Sequence, residues 1–359
     1  MEHYLTAAVI GCGRMGAFTS ESVILHSPPC WLPLSHAEAI SAHPRLKLKA
    51  LCDTDPDTLH RAAEKFGIEH RYDNPHDLLQ SEKPSVLGLA TRTLGRAELI
   101  HAAVEAGTKA IHAEKPLCNS VAELQSLQGL FESGDVFVTW GAIRRFLGVY
   151  KQALSLANSG RYGALREVRV NLGSAPLYWT HPHSIDLLLF AASGRRIEGV
   201  QARLDNVINE GTLSCVVSDP RIVAASVYFE DGLAGHITQA LGSDFVLSCE
   251  NAEIAVRADG AKLDIYSTSD SIYPQFGDLE ITQKENAGGT LGPISQLVSC
   301  LEGDEANISN NVTIKHDIIK SQYISFAMVQ SHLEGSRIVE PSAIDPEMVI
   351  LARTGNRYA

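Results

Sequence analysis

The sequence predicts an α/β chain in two parts. An N-terminal doubly wound parallel sheet with helices on both faces comes first, followed by an α+β domain with a large open, mostly antiparallel sheet. Three observations predict this. Short apolar runs alternate with helical patterns through roughly the first 140 residues, as a parallel sheet with crossover helices requires. Strand-like runs separated by turn residues then follow one another through the second half. The 359 residues are also long for a single hydrophobic core.

Thr6 to Ile10 is an apolar run that ends directly in "GCGRMG". That pattern is a strand followed by Gly11-x-Gly13-x-x-Gly16, with Cys12, Arg14 and Met15 between the glycines. Gly11 permits a tight turn, Gly13 lets backbone amides approach a pyrophosphate, and Gly16 lets the next helix pack closely on the sheet. A second apolar run, "LKLKALCD", ends in an acid at Asp53. An acid there accepts hydrogen bonds from the ribose hydroxyls of NAD and repels a 2′-phosphate, and "DTDPD" brings no arginine to reverse the choice. NAD is therefore expected over NADP. Asp53 lies 37 residues after Gly16, where about 20 is usual. The segment "ESVILHSPPCWLPL" holds three prolines, so residues 17–34 read as an insertion that breaks the first crossover. Removing those 18 residues leaves 19, which restores the spacing.

A helix at "DPDTLHRAAEKFG" stops at Gly67, and "VLGLAT" is a buried fourth strand ending beside Thr91. "RAELIHAAVEAG" is a helix ending at Gly107, "KAIHAEKP" the fifth strand, "VAELQSLQGLFESG" a helix and "DVFVTWG" the last strand. Further on, "IEGVQARLDNV", "RIVAASVYFED", "LAGHITQAL", "DFVLSCEN", "AEIAVRAD" and "KLDIYST" read as strands, and Pro293 to Leu301 and Thr313 to Leu333 as helices. The predicted boundaries are 1–140, 141–342 and a C-terminal extension over 343–359.

A net charge of −12 argues against nucleic-acid or anionic-membrane partners, whose phosphates would repel it. "MEHYLTAAVIGCG" does not read as a signal peptide, and no apolar stretch approaches the roughly 20 residues of a membrane span. Seven scattered cysteines without a CxxC pair read as reduced thiols of a cytoplasmic protein.

Two stretches carry chemistry. "HAEKPL" puts Glu114 and Lys115 at the carboxyl end of the fifth strand. A lysine there is either a donor to a substrate oxygen or an exposed turn residue. "YWTHPHSID", residues 178–186, reads as a helix start, because Pro182 suits a first turn and Ile185, Leu188 and Leu189 give it an apolar face. His183 then sits in the first turn, where the dipole favours neutral imidazole, with Asp186 three residues on along the same face. A proton carrier, a structural cluster and a metal site compete here. The last needs three or four ligands, and Pro182 blocks a simple i, i+4 pair.

Taken in order, "GCGRMG", "HAEA", "CDTDP", "EKPL", the "RRF" of Arg144 to Phe146, "SGRYGALREVRV" and "HSID" make the chain resemble the Gfo/Idh/MocA oxidoreductases over roughly residues 5–340. The resemblance implies a Rossmann domain that binds NAD through the glycine loop, Asp53, Thr91, Arg92, Glu114 and Lys115. It implies a second domain whose sheet binds a sugar or cyclitol on one side and dimerises on the other, giving a homodimer or homotetramer. It implies no metal. Lys115 carries onto the catalytic lysine, His183 onto the active-site histidine and Asp186 onto an acid that often faces substrate. Arg144, Arg145, Tyr150, Trp179 and His181 are further candidate substrate contacts.

There are two departures. Trp179 stands where many of these dehydrogenases have an aspartate, putting an aromatic face in place of a carboxylate. Arg92 and Arg96 stand where relatives usually carry proline and histidine, which suits an anionic group on substrate or cofactor. The expected activity is NAD-dependent hydride transfer at a secondary alcohol or ketone of a sugar, cyclitol or sugar derivative. Two rivals are NAD-dependent glycoside cleavage without net redox change and a catalytically silent NAD- or sugar-binding regulator.

Overall fold

A computed structural model describes residues 4–268, 273, 275–281 and 288–352. The described chain forms two compact units. The first ends at Ile143 and takes up a later segment ending at Ile319, and the second begins at Arg144 and resumes at Lys320.

Six strands make the first sheet: β1 (Leu5–Ile10), β2 (Leu46–Cys52), β3 (His70–Tyr72), β4 (Val86–Leu89), β5 (Ala110–Ala113) and β6 (Phe137–Trp140). Their order is β3-β2-β1-β4-β5-β6 and every pairing is parallel. The order reverses between β1 and β4, so the ligand crevice of such a sheet falls at the carboxyl ends of those strands. The short β3 is the third strand implied by counting a fourth and a fifth, in a stretch to which the sequence pattern assigns no segment. Two of its three residues are exposed, so it has no apolar run to announce it.

The helices of this unit begin with α1 (Glu21–His26), α2 (His36–Ala42) and α3 (Pro56–Phe66). α4 (Pro75–Glu82), α5 (Arg96–Glu105) and α6 (Val121–Glu132) follow. Local chemistry sets their ends. Gly67 closes α3 with φ 66°, and Ser120 and Glu123 form a capping box at α6.

The first crossover has an unusual construction. Ala17 N–H donates to the Gly13 carbonyl at 2.8 Å, making one helical turn, and the chain then departs. It returns so that His36 N–H meets the Met15 carbonyl at 2.9 Å and Ala37 N–H the Gly16 carbonyl at 2.8 Å. α2 therefore continues the interrupted turn, and residues 18–34, which carry the short α1, are an insertion spliced into one helix. Glu38 anchors the near end of that segment by accepting from Thr19 Oγ1 at 2.5 Å. At the far end, Gly289 N–H donates to the Cys30 carbonyl at 2.7 Å and Thr290 N–H to the Pro33 carbonyl at 2.9 Å.

The sequence pattern ends the first domain at 140 and assigns residues 141–342 to the second. The structure returns α9 (Leu291–Leu301) to the first unit, where Ile294, Leu297 and Val298 join the core of Val9, Ile40 and Ala110. A helical period says that a face is apolar, not which sheet covers it.

The second unit contains α7 (Gly148–Ala157), β7 (Leu165–Asn171), α8 (Pro182–Ala192), β8 (Ile197–Asp205), β9 (Asn209–Glu210), β10 (Thr212–Val216), β11 (Arg221–Phe229) and β12 (Ala234–Thr238). β13 (Asp244–Cys249), β14 (Ala252–Arg257), β15 (Lys262–Ser267) and β16 (Gln275–Leu279) follow. The long α10 (Glu305–Leu333) is shared between the units, and β17 (Val349–Ile350) comes near the C-terminus.

Eight strands form the large sheet in the order β16-β15-β14-β13-β7-β12-β11-β8. Only β7 with β12 is parallel, and the other pairings are antiparallel. One face buries Val168, Val170, Phe245 and Ile254. A Cβ on Gly235 would lie 2.9 Å from Leu188 Cδ1, so a glycine there lets α8 sit close on the sheet. Part of the expected C-terminal extension is ordered, since Val349 and Ile350 pair with Cys215 and Val216 of β10. Residues 353–359 of that extension lie outside the described part. Among the described residues no helix is long and apolar enough to cross a membrane.

Candidate functional site

The glycine loop leaves β1 at Gly11, whose φ of 89° belongs to the left-handed region. A Cβ there would also come within 2.7 Å of the Ala90 backbone, on the neighbouring β4 side. A Cβ on Gly16 would overlap the Gly11 carbonyl oxygen. The chain's own packing therefore requires both glycines. Gly13 differs, because it is exposed and a Cβ there would meet nothing within 4 Å. The chain gains no packing from that absence, which leaves open room beside the loop amides, as a dinucleotide pyrophosphate needs.

Asp53 ties the loop to the end of β2. Its Oδ2 accepts Cys12 N–H at 2.6 Å and its Oδ1 accepts Asp55 N–H at 2.9 Å. Each oxygen keeps a further lone pair for a ribose hydroxyl. Burial and the Asp53 charge push the Cys12 thiol up to about 12, so it stays protonated. Arg14 and Met15 are half-buried beside it.

At the end of β5, Glu114 is buried and Lys115 half-buried. Glu114 Oε1 lies 3.3 Å from His36 Nε2, and Oε2 accepts the Lys115 amide at 3.2 Å. Burial pushes the Glu114 pKa up, but the His36 hydrogen bond and charge, with Lys115 and His112, outweigh it and bring it to about 2. His112 packs against His36 with ring centroids 4.6 Å apart and meets Thr139 Oγ1 at 3.0 Å. Burial, then His36, drive the His112 pKa well below its ordinary value, which keeps this imidazole neutral. A Cβ on Gly141 would reach 2.7 Å from both Glu114 carboxylate oxygens, so glycine is needed to admit them.

Thr91 and Arg92 follow β4, half-buried and exposed respectively. Arg96 corrects the sequence reading. It is 2 % exposed, and its guanidinium donates to the carbonyls of Thr91, Glu114 and Pro116, so it is spent inside the chain rather than offered to an anion.

A single 3-10 turn, Ile143–Phe146, carries the "RRF" arginines where the second unit begins. Arg144 forks onto Asp259 at 2.7 and 2.9 Å, and Tyr150 Oη donates to the same carboxylate at 3.1 Å. Arg145 Nε donates to Asp186 Oδ2 at 2.8 Å and its Nη2 to the Asp186 carbonyl at 3.1 Å. All four of Arg144, Arg145, Tyr150 and Asp186 are buried. They fix the turn and the start of α8.

His181 precedes α8, is fully buried, and meets Ser184 Oγ at 3.0 Å. Burial lowers its pKa to about 4 against a hydrogen bond with the Ala175 backbone. His183 lies in the first turn, half-buried, with its N–H on the Thr180 carbonyl at 3.2 Å. Trp179 is half-buried as well. Of the residues proposed for substrate in this unit, Trp179 and His183 retain the most exposure.

Asp219 is a further organising residue, accepting the amides of Tyr178 at 2.8 Å and Trp179 at 3.1 Å. It and Asp259 escaped the sequence reading. Their signals were only an Asp-Pro at 219–220 and an Asp-Gly at 259–260, which mark turns and say nothing of distant partners.

The parallel sheet, the glycine loop and the acid closing β2 define a dinucleotide-binding Rossmann protein. Residues 5–142 match the model of the Gfo/Idh/MocA family, an oxidoreductase family with an NAD-binding Rossmann fold. It is 26% identical over 162 residues to a myo-inositol 2-dehydrogenase of Thermotoga maritima, covering 45% of this chain and 43% of that one. A D-apiose dehydrogenase of Paraburkholderia graminis is 30% identical over 129 residues, covering 36% of this chain and 30% of the relative. The alignments thus span less than half the length of these curated relatives. The fold extends further. An inositol dehydrogenase homolog of Azotobacter vinelandii, crystallised with NADH and myo-inositol, has a TM-score of 0.72 at 15% identity, covering 94% of this chain and 98% of that one. An Agrobacterium radiobacter oxidoreductase, crystallised with NAD+, L-tartaric acid and magnesium, has a TM-score of 0.69 at 17% identity, covering 96% and 99%.

Proposed function

We propose that this chain is an NAD-dependent oxidoreductase acting on a secondary alcohol or ketone of a sugar, cyclitol or sugar derivative. The observation that carries the reading is the loop built around Gly13, locked by Asp53 to the end of β2 within an all-parallel sheet. The names of the inositol and apiose dehydrogenase relatives support the substrate class.

Loop amides from Gly11 to Gly16 would hold the diphosphate of NAD, with Thr91, Arg92 and Glu114 as further contacts, and Asp53 would accept the ribose hydroxyls. The bound nicotinamide supplies the hydride acceptor for an alcohol or the donor for a ketone. Lys115 takes the alcohol proton at the substrate oxygen, or returns one to it in the reverse direction. His183 shares that proton or polarises the same oxygen. Trp179 offers a ring face to the sugar. Arg144, Arg145, Tyr150, His181 and Asp186 serve chiefly to hold the turn and the start of α8 that carry Trp179 and His183. The decisive experiment is mass spectrometry of the co-purifying ligand, followed by a polyol and sugar-derivative screen read at the NADH absorbance. Absence of NAD binding would overturn the reading.

Two substitutions test its parts. Wild type is expected to prefer NAD, and Asp53→Ser with Thr54→Arg to shift preference toward NADP, measured as kcat/KM on both cofactors. A wild type that prefers NADP would refute the role given to Asp53. His183→Asn is expected to lower kcat by roughly 10², the ordinary loss for an acid–base group. A change in KM alone would make His183 a binding residue only.

Along β7, Glu167 and Arg169 alternate with buried Val168 and Val170, so they stand on the opposite face of the sheet. There Arg169 pairs with Glu167 and Glu253. We propose that face as the contact of a homodimer or homotetramer, to be checked by light scattering and by charge reversal at Arg169.

A further inference from the structure

Lys115 sits in a stretch of backbone held from both sides. Its amide donates to Glu114 Oε2 at 3.2 Å, and that carboxylate is itself held by His36 at 3.3 Å. The carbonyls immediately before and after it, of Glu114 and Pro116, both accept from Nη1 of Arg96, the first at 2.9 Å. Nη2 of the same guanidinium takes the Thr91 carbonyl just past β4. One planar fork thus joins the ends of two adjacent strands and brackets the proposed proton carrier.

We propose that Arg96 is a positioning residue for Lys115, fixing with Glu114 where the lysine's ammonium stands and how readily it gives up its proton. The proposal rests on the reading of Lys115 as the group that handles the substrate proton. Two physical arguments support it. A guanidinium presents several donors at fixed angles, so one side chain can serve three carbonyls, which an ammonium on a flexible stem does less well. Burial lowers the Arg96 pKa to about 10, still cationic at neutral pH, and places a fixed positive charge near the lysine opposite the negative charge of Glu114. Removing it would alter both the lysine's position and its local field.

The test uses the full-length protein with NAD and the polyol that the screen identifies, in wild type, Arg96→Gln, Arg96→Lys and Lys115→Met. Two readouts are needed: kcat per NAD-binding site across pH, and acetic-anhydride labelling of Lys115 across pH by peptide mass spectrometry, with other lysines as internal standards. Arg96→Gln is expected to lower kcat roughly tenfold or more with KM little changed, because the loss falls on the chemical step. Its kcat–pH profile and Lys115 labelling curve should shift together, while the reference lysines hold. Arg96→Lys, which keeps charge without the fork, should not restore the wild-type values.

Should the Arg96 variants fail to fold, Gly141→Ala crowds the Glu114 carboxylate from another side and is expected to shift the same labelling curve. A lowered melting temperature with kcat per site, pH profile and labelling unchanged would overturn the proposal and leave Arg96 a purely structural residue. So would unchanged labelling in Gly141→Ala. If Lys115→Met keeps the wild-type rate, the reading of Lys115 itself falls, and this proposal with it. An inactive Lys115→Met beside a normal Arg96→Gln would sink the positioning role alone.

Discussion

Lys115→Met is expected to abolish turnover while NAD still binds. The substitution removes the ammonium and keeps a linear side chain of similar reach. Its backbone anchors, Glu114 on the amide and Arg96 on the flanking carbonyls, do not involve the lysine side chain and should survive. A lost general acid–base group commonly lowers the rate by about 10²–10⁴, and the loss should appear in kcat with the cofactor dissociation constant nearly unchanged. Stopped-flow or steady-state rates, with calorimetry for NAD, check both halves. Substantial residual turnover would mean that another group moves the proton, and His183→Asn would then be the more damaging change.

Gly13→Val is expected to weaken NAD binding severely and leave the fold intact. The separation follows from the geometry, since nothing in the chain lies within 4 Å of a Cβ at this position. The added side chain would occupy room proposed for the pyrophosphate and hold it away from the loop amides. Hydrogen bonds to charged groups contribute about 1.5–3 kcal/mol each, so losing one or two lowers affinity by on the order of 10²-fold or more. The contrast with Gly16→Ala sharpens the test, because a methyl group there overlaps the Gly11 carbonyl and should destabilise the loop itself. Calorimetric titration and thermal melts read the two effects separately. Unchanged NAD affinity in Gly13→Val would remove this loop from the site.

Much of the candidate site was legible because its signals are local. A strand running into Gly11-x-Gly13-x-x-Gly16, an acid closing the next long strand, and Pro182 opening a helix each depend on neighbours within a few residues. What the pattern missed was non-local. Arg96 follows β4 in an exposed-looking turn, "TRTLGR", and reads as a free cation until the Glu114 and Pro116 carbonyls just past β5 are seen to accept from it. Asp186 reads as a neighbour of His183 by helical spacing, and the structure also pairs it with Arg145, 41 residues away. Arg144 meets Asp259 across 115 residues. Side-chain identity gives the number of donors and acceptors, but not the partners that will be present when the chain closes.

By itself the sequence determined the alternation of strands and helices, the glycine loop, the helix caps and the break in the first crossover, because backbone sterics and hydrophobic period act over a few residues. Only the tertiary structure decided that α2 resumes the turn begun at Gly13, that α9 packs back on the first sheet, and that five of the candidate substrate residues (Arg144, Arg145, Tyr150, His181 and Asp186) are buried in partnerships. Burying a charged or polar group is unfavourable unless another meets it, and that other group comes from whichever element the fold brings close.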